Sequence, residues 1–334
     1  MFPVLPFRSE LYRPDELFAG LTEDDPTSYA LTPDFRAYRS TKLEANREVG
    51  MLRALHDQSI TEQRTALLAG HRIVAIMGGH ALARDDPAYR QVAELARMLA
   101  RAEFVVVSGG GPGAMEATHL GALLAPLEDE RLDSALDRLA QVPNFPDTTG
   151  LVADGGAVNR YLLAELHRWQ VPALSVRGSV APARRGRSLA IPTWFYGHEP
   201  PTVFASHIAK YFSNPLREDG LLSIAVDGVI YAPGHAGTVQ EVFQDAAQNG
   251  HRVVDGRFSP MAFLDTAGHW SERVPLLPVL EALLEPVDLA KSVAVSADIA
   301  DPARFLERWP AHPPPGVLAS GRRADNAGPD GIHR

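Results

Sequence analysis

The 334-residue chain contains no cysteine. That absence removes disulfide bonds, thiolate nucleophiles and Cys-ligated zinc. Lysine is scarce, at Lys42, Lys210 and Lys291 only. None of the three adjoins a loop suited to phosphate, so a lysine Schiff base to pyridoxal phosphate is not expected. No apolar run reaches membrane-spanning length, and the first ten residues lack a basic region followed by an apolar core. A cytoplasmic protein without membrane contact is expected. A net charge of −9 leaves too little basic surface for a nucleic-acid scaffold or a DNA-processing protein. No P-loop signature, Gly-x-x-x-x-Gly-Lys-Ser/Thr, occurs. Neither cofactor nor metal is expected.

What is present is glycine, placed at strand ends. Residues 229–231, Val-Ile-Tyr, form a short β-branched and aromatic run. Pro233, Gly234, His235, Ala236, Gly237 and Thr238 follow, and then Val239, Val242, Phe243 and Ala246 at helical spacing. The pattern predicts strand, tight loop and helix. Thr238 suits an N-cap, with Glu241 three residues on as its capping-box partner. Helix punctuation alone would explain that pair. A phosphate above the loop would explain it too, because a helix N-terminus presents unpaired N–H groups and a positive dipole end.

A second stretch has the same form. The apolar run 104–108 leads into Gly109, Gly110, Gly111, Pro112 and Gly113, then Met115 and a predicted helix. Four glycines in five positions exceed what a turn needs. In an open α/β sheet, ligands collect outside the carboxyl ends of the strands, where both loops would lie, so one shared anion site is expected. A dinucleotide fold is the natural rival. It would require Gly-x-Gly-x-x-Gly after the first strand, but the first loop reads only Gly78-Gly79-His80.

The two stretches, Ser-Gly-Gly-Gly-Pro-Gly-Ala-Met-Glu-Ala at 108–117 and Pro-Gly-His-Ala-Gly-Thr-Val-Gln-Glu at 233–241, resemble the paired signatures of the cytokinin-activating phosphoribohydrolases. That family is often labelled "lysine decarboxylase-like", and its bacterial nucleotide 5′-monophosphate nucleosidase branch is the most similar. The resemblance implies a Rossmann-like open parallel sheet with helices on both faces. It implies cleavage of a nucleoside 5′-monophosphate to free base and ribose 5-phosphate, and a homodimer or larger homo-oligomer. By the same resemblance Glu241 is the catalytic carboxylate and Arg217 its arginine. Gly78, Gly79, Gly109, Gly110, Gly111, Gly113, Met115 and the 233–238 loop contact substrate. Met115 would lie against the base, although a helix-core methionine is an equal reading, as is a plain surface charge for Arg217. Two departures stand out: His235 replaces the motif's second glycine, and Glu218 follows Arg217 where a lysine is usual. They keep a second class of function open, a nucleotide or cofactor carrier without catalysis, as in the molybdenum-cofactor carriers that resemble this fold.

The remaining chain divides into an N-terminal arm and helices (1–70), the nucleotide-binding domain (71–309) and a disordered, Pro- and Gly-rich tail (310–334). Residues 1–33 read as an irregular arm, and 34–68 as one or two amphipathic helices. Strands are expected at 73–77, 104–108, 229–231, 261–264 and 293–295. An insertion, 126–187, breaks the family pattern. In it a helix is expected at 158–169, a short strand at 173–176, and a basic knot of Arg184, Arg185 and Arg187. That knot is either a lid over the phosphate or a solvated loop.

Overall fold

The computed structural model describes residues 2–43, 46–195, 197–251, 258–284 and 289–310. Its centre is a seven-stranded sheet: β1 (Ile73–Met77), β2 (Val105–Ser108), β3 (Ser188–Ala190), β4 (His207–Ile208), β5 (Val229–Tyr231), β6 (Met261–Leu264) and β7 (Val293–Ser296). Every pairing is parallel, in the order β4-β3-β2-β1-β5-β6-β7. Strands covered on both faces read as continuous apolar runs, and β1, Ile-Val-Ala-Ile-Met, is buried at every position. The strand order reverses between β1 and β5. This is the switch point at which an α/β sheet opens a crevice.

Among the described residues, twelve α-helices accompany the sheet. Four precede or follow β1: α1 (Pro14–Leu17), α2 (Pro33–Thr41), α3 (Arg47–Leu68) and α4 (Pro87–Arg101). After β2 come α5 (Ala114–Leu124), α6 (Glu130–Leu139) and α7 (Arg160–Gly178). α8 (Asn214–Ile224) precedes β5 and α9 (Ala236–His251) follows it. α10 (Leu277–Leu283), α11 (Leu289–Ser292) and α12 (Ala300–Arg308) complete the chain. α4 starts at Asp86, whose carboxylate accepts from the Ala88 N–H, with Pro87 at the first helical position. α4 and α5 approach so closely that a β-carbon on Gly121 would fall 1.9 Å from the Ala93 carbonyl oxygen.

Several expectations change. The N-terminal segment, expected as an irregular arm, carries α1 and a 3-10 helix at Pro26–Leu31 and is part of the core: Tyr12, Leu17 and Tyr29 are buried. Tyr12 exchanges backbone hydrogen bonds with Ile208, so the segment pairs antiparallel with β4 and covers an otherwise open sheet edge. β4 itself, two residues long, carried no sequence signal. The strand expected at 173–176 is the last part of α7, which runs through Pro172. Its buried residues Trp169, Ala173 and Val176 follow helical spacing, and a short apolar run cannot be told from a buried helix by pattern alone. Two helices, α2 and α3, occupy the stretch read as one or two. Most of the tail, 311–334, lies outside the described residues.

The insertion is anchored by a buried ion pair. Arg84 donates to both oxygens of Glu116 at 2.8 and 2.7 Å, and Tyr89 Oη adds a third bond at 2.9 Å. The same guanidinium stacks on the Trp169 ring at 3.8 Å and donates to the Trp169 carbonyl. It thereby joins α4, α5 and α7. Glu116→Ala would leave the Arg84 charge buried without its partner. A loss of about 3–5 kcal/mol is expected, to be read from urea denaturation with the far-ultraviolet circular dichroism of the native state unchanged.

Candidate active site

Three loops meet at the carboxyl edge of the sheet, and their main chains interlock. The Gly79 N–H donates to the Pro233 carbonyl at 3.1 Å, joining the β1 and β5 loops. The Ala114 N–H donates to the Gly79 carbonyl at 3.1 Å, joining α5 to the β1 loop. Side chains at the contacts would not fit. A β-carbon on Gly78 would fall 2.7 Å from Ala114 Cβ, and one on Gly113 would fall 2.4 Å from the Gly79 oxygen. Gly113 also sits at φ +70°, a left-handed conformation that glycine adopts without steric cost.

The β2 loop is pinned from below. Neutral His119 bridges Ser108 Oγ at 2.8 Å and Ser188 Oγ at 2.9 Å, and Ser108 Oγ accepts from the Gly110 N–H at 3.1 Å. Full burial lowers the His119 pKa to about 3, so the ring stays uncharged. Gly110, at φ +72°, lies against Ala190 of β3. Two of the expected contact residues, Gly79 and Gly110, therefore already use their N–H groups within the protein. The Gly234 N–H is a third, bonded to His269 Nε2 at 3.3 Å. Burial holds His269 below its ordinary pKa, consistent with a neutral ring nitrogen accepting there.

α9 begins three residues earlier than its capping pattern suggests. Ala236 is its first residue, so His235 takes the N-cap position and Thr238 is already inside the first turn. Thr238 is buried over Gly234, where a β-carbon would fall 2.2 Å from Thr238 Oγ1. The capping box is thus absent, because Thr238 packs down onto the loop rather than outward. His235, Ala236 and Gly237 are exposed. The first-turn amides of an α-helix have no intrahelical acceptor, which leaves this terminus suited to an anion.

Glu241 lies one turn further along α9, and Arg217 comes to it from α8. The Arg217 Nη1 is 3.8 Å from Glu241 Oε1 and 3.9 Å from Glu218 Oε1. Its Nε donates to the Ile191 carbonyl at 3.0 Å, and its Nη2 lies over Gly109, 2.1 Å from where a β-carbon would be. Burial pushes the Glu241 pKa up to about 7; Arg217 opposes that rise and Glu218 adds to it. α8 is itself oriented by α3, since the Asp57 carboxylate accepts from the N–H groups of Phe212 and Ser213 at 3.0 and 2.8 Å.

Met115 is buried, with Sδ against Gly109 and Cε against Gly111. Glu199 reaches the same place, its Oε2 2.9 Å from a β-carbon position on Gly111. Sequence reasoning gave Glu199 no role. Its backbone is held by Lys210, whose buried ammonium pairs with Asp34 at 2.7 Å and also donates to the Glu199 carbonyl at 3.4 Å. No spacing rule links residues 34, 199 and 210. The basic knot lies elsewhere: Arg184 meets Glu128, and Arg185 donates to the carbonyls of Val180 and Arg177. All three arginines precede β3, at the amino edge of the sheet, so they form no lid over the loops.

Among the described residues no group of three or more His, Cys, Asp or Glu could hold a metal ion, and no helix is long and apolar enough to cross a membrane. No protein-family model matches the chain, and no curated protein matches it. Among solved structures, it is similar to TM1055, a structural-genomics target, at 17% identity and a TM-score of 0.40, over 71% of this chain and 98% of that one. It is also similar to two structures of the molybdenum cofactor carrier protein from Chlamydomonas reinhardtii, at 13% and 14% identity with TM-scores of 0.37 and 0.38. Each of these covers 71% of this chain, and 96% and 97% of its own. Likenesses this distant carry no functional inference.

Proposed function

We propose that the cleft hydrolyses the N-glycosidic bond of a nucleoside 5′-monophosphate to free base and ribose 5-phosphate. The observation that carries this reading is Arg217, which lies over the glycine loop of β2 and 3.8 Å from Glu241. In the reaction the C1′–N bond breaks, its electron pair leaves with the base, and the ribose passes through an oxocarbenium-like cation. The Glu241 carboxylate stabilises that cation and accepts a proton from the water that bonds to C1′. The departing base takes up that proton. The 5′-phosphate sits on the first turn of α9, at exposed Ala236 and Gly237 and at the backbone of buried Thr238. Gly78, Gly79, Gly109, Gly110, Gly111, Gly113, Pro233 and Gly234 line the approach, and Met115 offers an apolar surface to the base. Arg217 grips phosphate or ribose hydroxyls and favours the ionised form of Glu241. A homodimer or larger assembly belongs to the same reading.

A second reading is supported by His235. Its exposed side chain stands at the N-cap of α9, and its Nδ1 is 3.9 Å from a β-carbon position on Gly79. A side chain at that mouth suits retention of a ligand without turnover, the function of a nucleotide or cofactor carrier.

Incubation with AMP, GMP, IMP, CMP and UMP separates the two. Chromatography should detect free base from at least one nucleotide, and Glu241→Gln should lower kcat about 10²–10⁴-fold while the nucleotide-dependent rise in Tm persists. Thermal shifts with no base from the wild type would favour the carrier. Neither shift nor base would end both readings.

The pH profile supplies a further check. Glu241 acts as a carboxylate and its pKa is near 7, so kcat/KM should rise with pH and level off above about 7. Arg217 lowers that pKa, so Arg217→Met should move the rising limb to higher pH. A limb near pH 4, or one that Arg217→Met leaves in place, would rule Glu241 out as the titrating group.

A further inference from the structure

Below the Arg217–Glu241 contact, α8 and α9 enclose a second concavity. An open groove of about 620 Å³ between α3, α8 and α9 is lined by residues that include Arg64, Gly220, Ser223, Gln244, Gln248 and His251. One face of each helix builds it. Leu216, Asp219, Gly220 and Ser223 on α8 follow i, i+3, i+4, i+7 spacing, as do Gln244, Ala247, Gln248 and His251 on α9. Gln244 donates to the Asp219 carboxylate and ties the two helices together.

Arg64 is the unusual member. It is 7% exposed, and its Nε and Nη1 have no hydrogen-bond partner. A buried guanidinium with unmet donors is strongly disfavoured unless an acceptor completes it. Gly220 gives it room, because a β-carbon there would fall 2.2 Å from Arg64 Nη1. The planar fork of arginine matches the oxygens of a phosphate. The amide of Gln248 and the ring of His251 can serve the remaining oxygens, whereas the Thr61 and Ser223 hydroxyls already donate to the Asp57 and Gly220 carbonyls.

We propose that this groove is a second ligand site, for a small phosphate-bearing anion held by Arg64, separate from the glycine-loop cleft. Gly220 is one turn below Arg217 on α8, and Gln244 is one turn below Glu241 on α9. Occupancy of the groove therefore bears on the spacing between the two helices and on the Arg217–Glu241 distance. Binding there does not depend on what reaction, if any, the upper cleft performs.

Inorganic phosphate is the calorimetric probe on the full chain, and tungstate soaked into crystals locates the anion by anomalous scattering. Tungsten density is expected within hydrogen-bond reach of Arg64. Arg64→Met should remove it and weaken that class of phosphate site about 10–100-fold, leaving density at the glycine loops unchanged. If Arg64→Met fails to fold, Arg64→Lys, which keeps the charge and loses the fork, should weaken binding about tenfold. Density confined to the glycine loops, phosphate binding unaltered in either variant, or a carboxylate of a second copy seated on Arg64 would overturn the proposal. Those outcomes are read without nucleotide turnover, so the hydrolytic reading stands or falls separately.

Discussion

The upper face of the sheet depends on main-chain contact between loops far apart in sequence. Gly79 is the joint. Its N–H bonds the β5 loop through Pro233, and its carbonyl bonds the start of α5 through Ala114. Hydrogen bonds of this kind form only where two backbones approach without side chains between them, and glycines at 78, 79 and 113 make that approach possible, while Gly109 and Gly234 make room for the side chains of Arg217 and Thr238. Much of the glycine in these loops is thus required by packing, whatever ligand the crevice takes. The exposed first turn of α9 is among the places where amides keep no acceptor within the helix.

Around that joint, helices and buried polar groups fix the charged side chains. Asp57 of α3 receives the first amides before α8 and so sets where Arg217 stands. Asp34, from the N-terminal segment, pairs with Lys210 and holds the turn that carries Glu199. Segments that read as appendages therefore form the outer wall of the cleft. Glu241 experiences the result directly: burial raises its pKa, and one guanidinium opposes the rise. A carboxylate near half ionisation at neutral pH is sensitive to small movements of α8 relative to α9, the same two helices that the Arg64 groove joins.

The strands β1, β2, β5 and β6 were legible because buried parallel strands are unbroken apolar runs with a glycine or proline close to an end, and β7, part-exposed at the sheet edge, by its short apolar run alone. β4 was not, since two residues make no pattern and, besides β3, its other partner is Tyr12, nearly two hundred residues earlier. The 173–176 segment reads as a short strand in sequence, yet α7 continues through it and through Pro172. Thr238 and Glu241 matched a capping box in sequence, but Thr238 is drawn into the loop over Gly234 and the helix starts before it.

Sequence alone determined which residue types stand at the strand ends: glycine where backbones must touch, and neither cysteine nor a conveniently placed lysine, with Arg217 and Glu241 singled out by resemblance rather than by spacing. Local spacing encodes strands, helices and turns because those depend on neighbours along the chain. Only the tertiary structure decided that Arg217 would lie over Gly109, that Glu199 would reach Gly111, that Arg184, Arg185 and Arg187 would fall at the opposite edge, and that Arg64 would be buried without an acceptor. Each of those outcomes depends on which elements pack together, and no periodicity within a single segment records that choice.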